Sequence, residues 1–342
     1  MPLHKNTHNT RRKRIHALRK YTRKHKPTRH TRKHVQPRHA RKHVQTRHMR
    51  NMVCHPKTIR AVENSCYTPT ILEKIRVAFN EKHRDDPIPH YDDPSDLWKQ
   101  LNARIVHCPT EDCWLNQIAD VKLRKQIDRY IFAPDQPYEW KKNPNEWLSN
   151  FDIMNVLEQY EETYPEFDFI GPTPIDFDTR TGTGKFRKCV WNELCQFMLK
   201  HKVQKEGKKK IGIIFNTDPH TSSGSHWISM FVDVPNRLVY FFDSAGAKPP
   251  AEVDVLAHRI LDQGKEMGLS MRYNQNSPHI HQRGNTECGM YSLFFIITML
   301  TEKMRGKPVS LMRRLRLFSK GHVSDKQMER YRNIYFNVPS SG

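Results

Sequence analysis

The sequence predicts an α+β domain for the second half of the chain, on three observations. Strand-like runs follow one another at 211–216, 226–234 and 238–243. The last two are joined at Pro235-Asn236 and read as a hairpin. Helical patterns surround them, at 251–267 and, strongly apolar, at 289–304.

The remaining elements follow from the same periodicities. Ile153, Val156, Leu157 and Tyr160 mark a helix that ends before Pro165, and Val190, Leu194, Phe197 and Met198 mark another. Residues 270–273 suit a short strand. Ser324 with Gln327 forms a capping box for a last helix carrying Met328, Tyr331 and Tyr335. Upstream, Thr68 can cap a helix beginning at Pro69 with an apolar face of Ile71, Leu72, Ile75 and Phe79. Leu97, Leu101 and Ile105 suggest a second helix after Pro94. Three regions result: a basic tail at 1–52, a helical accessory region at 53–140, and an α+β domain at 141–342.

Charge is divided unevenly among them. The chain has 342 residues and a net charge of +22. The first 50 residues hold 18 Lys or Arg, 9 of the 20 His and no acid, so the remainder is nearly neutral and able to bury a core. Residues 22–30, 31–39 and 40–48 repeat a nine-residue unit: TRKHKPTRH, TRKHVQPRH, ARKHVQTRH. Nine fits no helical or strand period, Pro27 and Pro37 interrupt any helix, and almost nothing apolar offsets the entropy of ordering. Disorder is expected there when the tail is alone. A cation density of this kind favours nucleic acid as partner through residues 1–50, by counterion release. A solubilising or targeting tail is the plainer alternative, and Arg11–Arg14 has the composition of a nuclear signal.

The seven cysteines are odd in number and lack regular spacing, and the N-terminus has no apolar core of a secretory signal. Free thiols in a reducing intracellular compartment are expected, in host cytoplasm or virion, with the nucleus open. The longest apolar run, 290–300, is too short for a bilayer span of about 20 residues. His107, Cys108 and Cys113 have ligand chemistry, but no fourth ligand follows at zinc-finger spacing, and buried thiols are the ordinary alternative. No metal or other cofactor is implied.

Cys288 lies between a polar Gly/Asn loop and the apolar helix, in GNTECGMYSLFFI. A thiol at a helix N-terminus is shifted towards thiolate; a buried, inert cysteine is the alternative. Gly289 permits close approach of another segment. His226 opens one strand of the hairpin and Asp243 closes the next, so pairing puts them at the same end, where the carboxylate can orient an imidazole. A strand-edge histidine and a turn-forming aspartate are the dull readings. Gln282, in the loop before Cys288, can donate to a substrate oxygen together with the Cys288 N–H, or can simply be solvated.

As a set, the residues say more. The order His226, Asp243, Gln282, Cys288, with steps of 17, 39 and 6, resembles the ubiquitin-like-protein-specific proteases and their adenoviral relative adenain. The matching segments are His226-Trp227, Asp243-Ser244, Gln282 and Glu287-Cys288-Gly289, with Trp147-Leu148 upstream. Residues 141–300 carry the resemblance. Glu287 replaces the family's Asp, Gly284-Asn285 inverts its Asn-Gly, and Ser149-Asn150 replaces Asn-Asp.

The resemblance implies a papain-like core of the adenain type, with a mixed central sheet flanked by helices. It implies a thiol hydrolase with a His226-Asp243-Cys288 triad and Gln282 as oxyanion donor. Trp147 and Trp227 match the two tryptophans that roof a narrow tunnel for Gly-Gly or similarly slim segments. The expected activity is an endopeptidase acting at Gly-Gly-X or Gly-X-X sites in viral structural proteins. A deconjugase for a ubiquitin-like protein is the close alternative. A nucleic-acid-binding packaging protein with an inert protease-like domain is the alternative of another class.

Overall fold

The structure, a computed structural model, describes residues 49–339 except 59, 61, 64, 185 and 186. The nine-residue repeats lie outside the described residues. Packed chain is found before the expected boundary at 52: the Arg50 N–H donates to the Pro109 carbonyl, and Met52, the first apolar side chain after the cationic run apart from Met49, is buried.

The accessory region has a core of its own. Helices α1 (Pro69–Lys82), α2 (Pro94–Arg104) and α3 (Val121–Ile131) start at Thr68, Asp93 and Asp120, each accepting a first-turn N–H. Leu72, Ile75 and Phe79 of α1 meet Leu97 and Leu101 of α2 and Ile127 of α3, around Tyr67 and Trp114. That core ends at Phe132; Trp140 already packs with the following domain.

The α+β region is built on one five-stranded sheet in the order β1-β4-β5-β6-β7. Strand β1 (Phe167–Pro174) runs parallel to β4 (Lys210–Asn216). Strands β4, β5 (Trp227–Asp233) and β6 (Leu238–Phe242) are successively antiparallel, and β7 (Arg272–Gln275) is parallel to β6. Two small hairpins, β2–β3 (Arg180–Thr181, Lys188–Cys189) and β8–β9 (Lys303–Met304, Lys307–Pro308), complete the strands. The sheet is therefore mixed and papain-like in layout.

Side chains alternate across it with a period of two. Trp227, Phe231, Leu238, Tyr240 and Phe242 point to one face, against α4 (Asn150–Thr163), α8 (Cys288–Thr301), α9 (Leu311–Lys320) and α10 (Asp325–Tyr335). Ile228, Met230, Val232, Val239 and Phe241 point to the other, against α7 (Ala251–Glu266). Both faces are covered, which is why these strands read as continuous apolar runs. Helix α8 is buried from Cys288 to Leu300, the expected state of a helix apolar on every side.

Three expectations are corrected. First, β1 was not expected: Pro172 and Pro174 argue against a strand, but both sit on the sheet edge, with a register shift between Ile170 and Thr173. Second, the helix expected around Val190–Met198 is two short ones, α5 (Asn192–Cys195) and α6 (Leu199–Gln204). Gln263 of α7 accepts the Leu199 N–H and donates to the Phe197 carbonyl, so a tertiary contact terminates one and starts the next. Third, six cysteines are not free: Cys54–Cys66, Cys108–Cys113 and Cys189–Cys195 are disulfides with Cα separations of 5.2, 5.4 and 6.2 Å. Chain spacing does not reveal pairing; the direction of each Cα–Cβ bond does. Cys108 and Cys113 are thus unavailable as thiolate ligands beside His107. Among the described residues no helix is long and apolar enough to cross a membrane.

Gly212 on β4 leaves room for Ile296 of α8 and the Phe167 ring. A Cβ there would lie 2.9 Å from Ile296 Cγ2 and 3.0 Å from the Phe167 ring. Gly212→Ala is expected to destabilise the chain by about 1–3 kcal/mol through overpacking. Urea unfolding of the two proteins measures this, and equal midpoints would contradict it.

Candidate active site

The β5–β6 register delivers the first two groups. Ser229 pairs with Phe242, so the residue before β5 and the residue after β6 share one end of the hairpin. There the His226 Nε2 lies 2.7 Å from Asp243 Oδ1. Asp243 is held from all sides. Its carboxylate accepts the Ala245 and Ala247 N–H groups at 2.9 and 3.1 Å. The Asn276 side chain accepts the Asp243 N–H and donates to its carbonyl. An anion solvated this completely by donors can stay buried without drifting.

Cys288 is the first residue of α8, is buried, and is the one free cysteine of the seven. No side chain caps this helix start, so its first N–H groups are not taken up by a capping side chain. Cys288 acts on the same imidazole as Asp243 does, and both favour its charged form. With Nε2 on the carboxylate, Nδ1 is the ring nitrogen left for a second partner. Burial opposes a charged imidazole, but the hydrogen bonds and charges of Asp243 and Cys288 outweigh it and push His226 up to about 10. Helix α8 can start this close because Gly289 has no Cβ: one would meet Leu148 at 3.0 Å and Trp227 at 3.2 Å.

Gln282 joins the site from the loop before α8. Its backbone N–H donates to the Ser244 carbonyl, and its Oε1 accepts from the Ser244 hydroxyl at 2.7 Å. That second bond fixes the amide orientation. The NH2 end donates to the Gly284 carbonyl and has one further N–H. Trp227 is 5% exposed, and its indole N–H donates to the Leu148 carbonyl. Trp147 is 36% exposed, beside Leu148. A cleft of about 430 Å³ opens next to Trp227, lined by Asn150, Pro172, Trp191, Asn216 and His220 among others.

All six sequence candidates thus belong to one neighbourhood. Three supporting residues escaped the sequence reading. Ser244 was visible only as half of the Asp-Ser pair, Asn276 carries no pattern, and Arg332 is a charge on the apolar Met328–Tyr335 stripe of α10. That misplaced charge was the available signal.

A buried free thiol at a helix start, sharing an imidazole with a buried carboxylate on a mixed sheet, defines the class as a cysteine protease fold. Comparisons with known proteins agree. Residues 192–336 match the Ulp1 protease family, C-terminal catalytic domain. Putative thiol protease R355 of Acanthamoeba polyphaga mimivirus is 28% identical over 308 residues, 84% of this chain and 94% of that protein. The SUMO-1 cysteine protease of African swine fever virus is 26% identical over 244 residues, 68% of this chain and 84% of that protein. A crystal structure of the African swine fever virus protease shares the fold, with a TM-score of 0.58 at 19% identity over 86% of this chain and 99% of that one. Residues 192–336 thus resemble a Ulp1-type catalytic domain, and viral thiol proteases are among the proteins to which the chain is similar.

Asp243 is one of the groups that raise His226, so removing it must lower the imidazole's titration. In Asp243→Ala the imidazolium is expected to lose its proton well below the parent's value of about 10. An NMR titration of His226 reads this directly, and an unmoved midpoint would contradict the electrostatic account.

Proposed function

We propose that the chain is a cysteine endopeptidase cleaving after small residues, at Gly-Gly-X or Gly-X-X sites of viral structural proteins. Cys288 is the nucleophile, His226 the acid–base, Asp243 its orienting partner and Gln282 the oxyanion donor. The observation that carries this reading is the single imidazole shared between Asp243 and the Cys288 thiol at the start of α8.

The imidazolium keeps Cys288 as thiolate. Sulfur attacks the scissile carbonyl, forming C–S and moving the electron pair to oxygen. The Cys288 N–H and the second N–H of Gln282 stabilise that oxyanion. As the tetrahedral species collapses the C–N bond breaks, and His226 gives its proton to the leaving amine. Water then attacks the thioester, its proton passes to His226, and the thiolate leaves. Ser244 keeps the Gln282 amide nitrogen turned towards the site.

Selectivity is steric. Trp147 and Trp227 are proposed to roof the approach to Cys288, where a side chain next to the scissile bond would strike an indole. The cleft beside Trp227 suits the substrate segment upstream of that point. Residues 1–50 are proposed to bind nucleic acid, which would keep the enzyme with packaged genome in the virion. The name SUMO-1 cysteine protease, borne by a relative, supports the second reading, a deconjugase for a ubiquitin-like protein.

Peptides of Gly-Gly-X type test the first reading. The parent is expected to cleave them, Cys288→Ala to leave almost no activity, and Gln282→Ala to lose about 10²–10³ in kcat. Cleavage of a ubiquitin-like fusion with no action on the peptides would favour the deconjugase. With one free cysteine, a thiol probe should label one site per chain, and His226→Ala should slow it. Labelling no faster than that of an ordinary thiol would favour the inert packaging protein. Affinity for duplex DNA should fall steeply with salt and be lost on removing residues 1–50.

A further inference from the structure

Helix α10 lies against the loop that runs from Gln282 to the start of α8, and grips it at two points. At its first turn the Asp325 carboxylate accepts the Arg283 and Gly284 N–H groups at 3.1 and 2.9 Å, and the Tyr291 hydroxyl at 3.0 Å. Seven residues on, about 10 Å along the helix axis, Arg332 meets Glu287, the residue before the nucleophile. Its Nε and Nη2 donate to the two carboxylate oxygens at 3.1 and 2.8 Å. Its remaining arm, Nη1, donates to the Glu146 carbonyl at 2.8 Å, next to Trp147. The guanidinium lies 4.2 Å from the centre of the Trp140 ring. Both ionic partners are buried, at 4% and 2% exposure.

We infer that Arg332 is a positioning residue: one guanidinium joins the start of the nucleophile helix, through Glu287, to the segment carrying Trp147. This rests on the proposed role of Cys288 as nucleophile. The geometry uses what arginine alone supplies, a planar fork for the carboxylate, a third donor arm for a carbonyl, and a flat face for an indole.

It also answers an electrostatic problem. Glu287 is a buried carboxylate on the residue before the thiol that must become a thiolate, and a like charge nearby disfavours ionisation. Burial pushes the Glu287 carboxyl up while Arg332, through hydrogen bonds and charge, pulls it down, with Thr286 assisting and Glu329 of α10 opposing. Tyr291 of α8 faces the same carboxylate, and His226 faces the sulfur from the β5 side. Arg332 is the one cation among these that meets Glu287 directly. It keeps the ion pair neutral as seen from Cys288.

Two readouts separate the roles, the pH dependence of Cys288 alkylation by iodoacetamide and kcat/KM on a Gly-Gly-X peptide. Arg332→Lys keeps the charge and loses the fork. Its alkylation profile is expected to overlay the parent's while kcat/KM falls about 10²-fold, the scale of a displaced reacting group. Arg332→Met leaves Glu287 without its counter-charge, and the acid limb of alkylation should move to higher pH. Glu287→Gln with Arg332→Met removes both charges. It should restore the alkylation limb but not kcat/KM, because the Glu146 tie stays broken, and it carries the test where Arg332→Met fails to fold. Parent-like kcat/KM in both Arg332→Lys and the double variant overturns the inference, as does an unmoved limb in a folded Arg332→Met. A parent that alkylates in this pH-dependent way yet cleaves no peptide overturns the endopeptidase reading instead, and the limb comparison still decides the role of Arg332.

Discussion

Burial of α8 against the sheet is the constraint on which the site depends. A helix apolar on every face has only one low-energy position, sealed between β5 and the helices behind it. Its first residue is therefore fixed relative to the strand end that carries His226. Gly212 and Gly289 set the distance of approach, one beneath the helix body and one at its start. Thiol and imidazole can meet because the core leaves α8 no freedom to slide.

Charge is arranged around that fixed point with little slack. His226 sits between two groups that favour its protonated form, against the desolvation that opposes it. Asp243 can serve as one of them because backbone N–H groups and Asn276 hold it in place. Glu287 and Arg332 form a second buried pair close by. Such pairs contribute little net stability once both charges are desolvated. Their value here is geometric, since the same guanidinium also binds the Glu146 carbonyl. The last helix, remote in sequence from the Trp147 segment, becomes part of the active-site wall.

The C-terminal segment also ties the accessory region to the catalytic sheet. The Asn337 side chain donates to the Val53 and Ala133 carbonyls and accepts the Val53 N–H. Gln159 of α4 donates to the Phe132 carbonyl. A separate apolar core and a polar seam of this kind are what distinguish the accessory region from the domain it leans on. The apolar faces of α1 and α2 were legible in the sequence, but the seam was not, because its residues are single amides in unpatterned positions.

Elements with a strong repeat were legible: the hairpin, α8, α7 and the capped helices all follow from local periodicity and end signals that need no partner. Strand β1 and the α5–α6 break were not, since an edge position excuses two prolines and Gln263 overrides a helical stretch. The amino-acid sequence by itself determined the chemical groups, their order along the chain, and the strongly periodic helices and strands, because these depend on each residue and its near neighbours. Only the tertiary structure decided that six cysteines pair and one stays free, that Ser244 orients Gln282, and that Arg332 faces Glu287. Those contacts join residues whose side-chain directions are set by packing, and no spacing along a chain encodes direction.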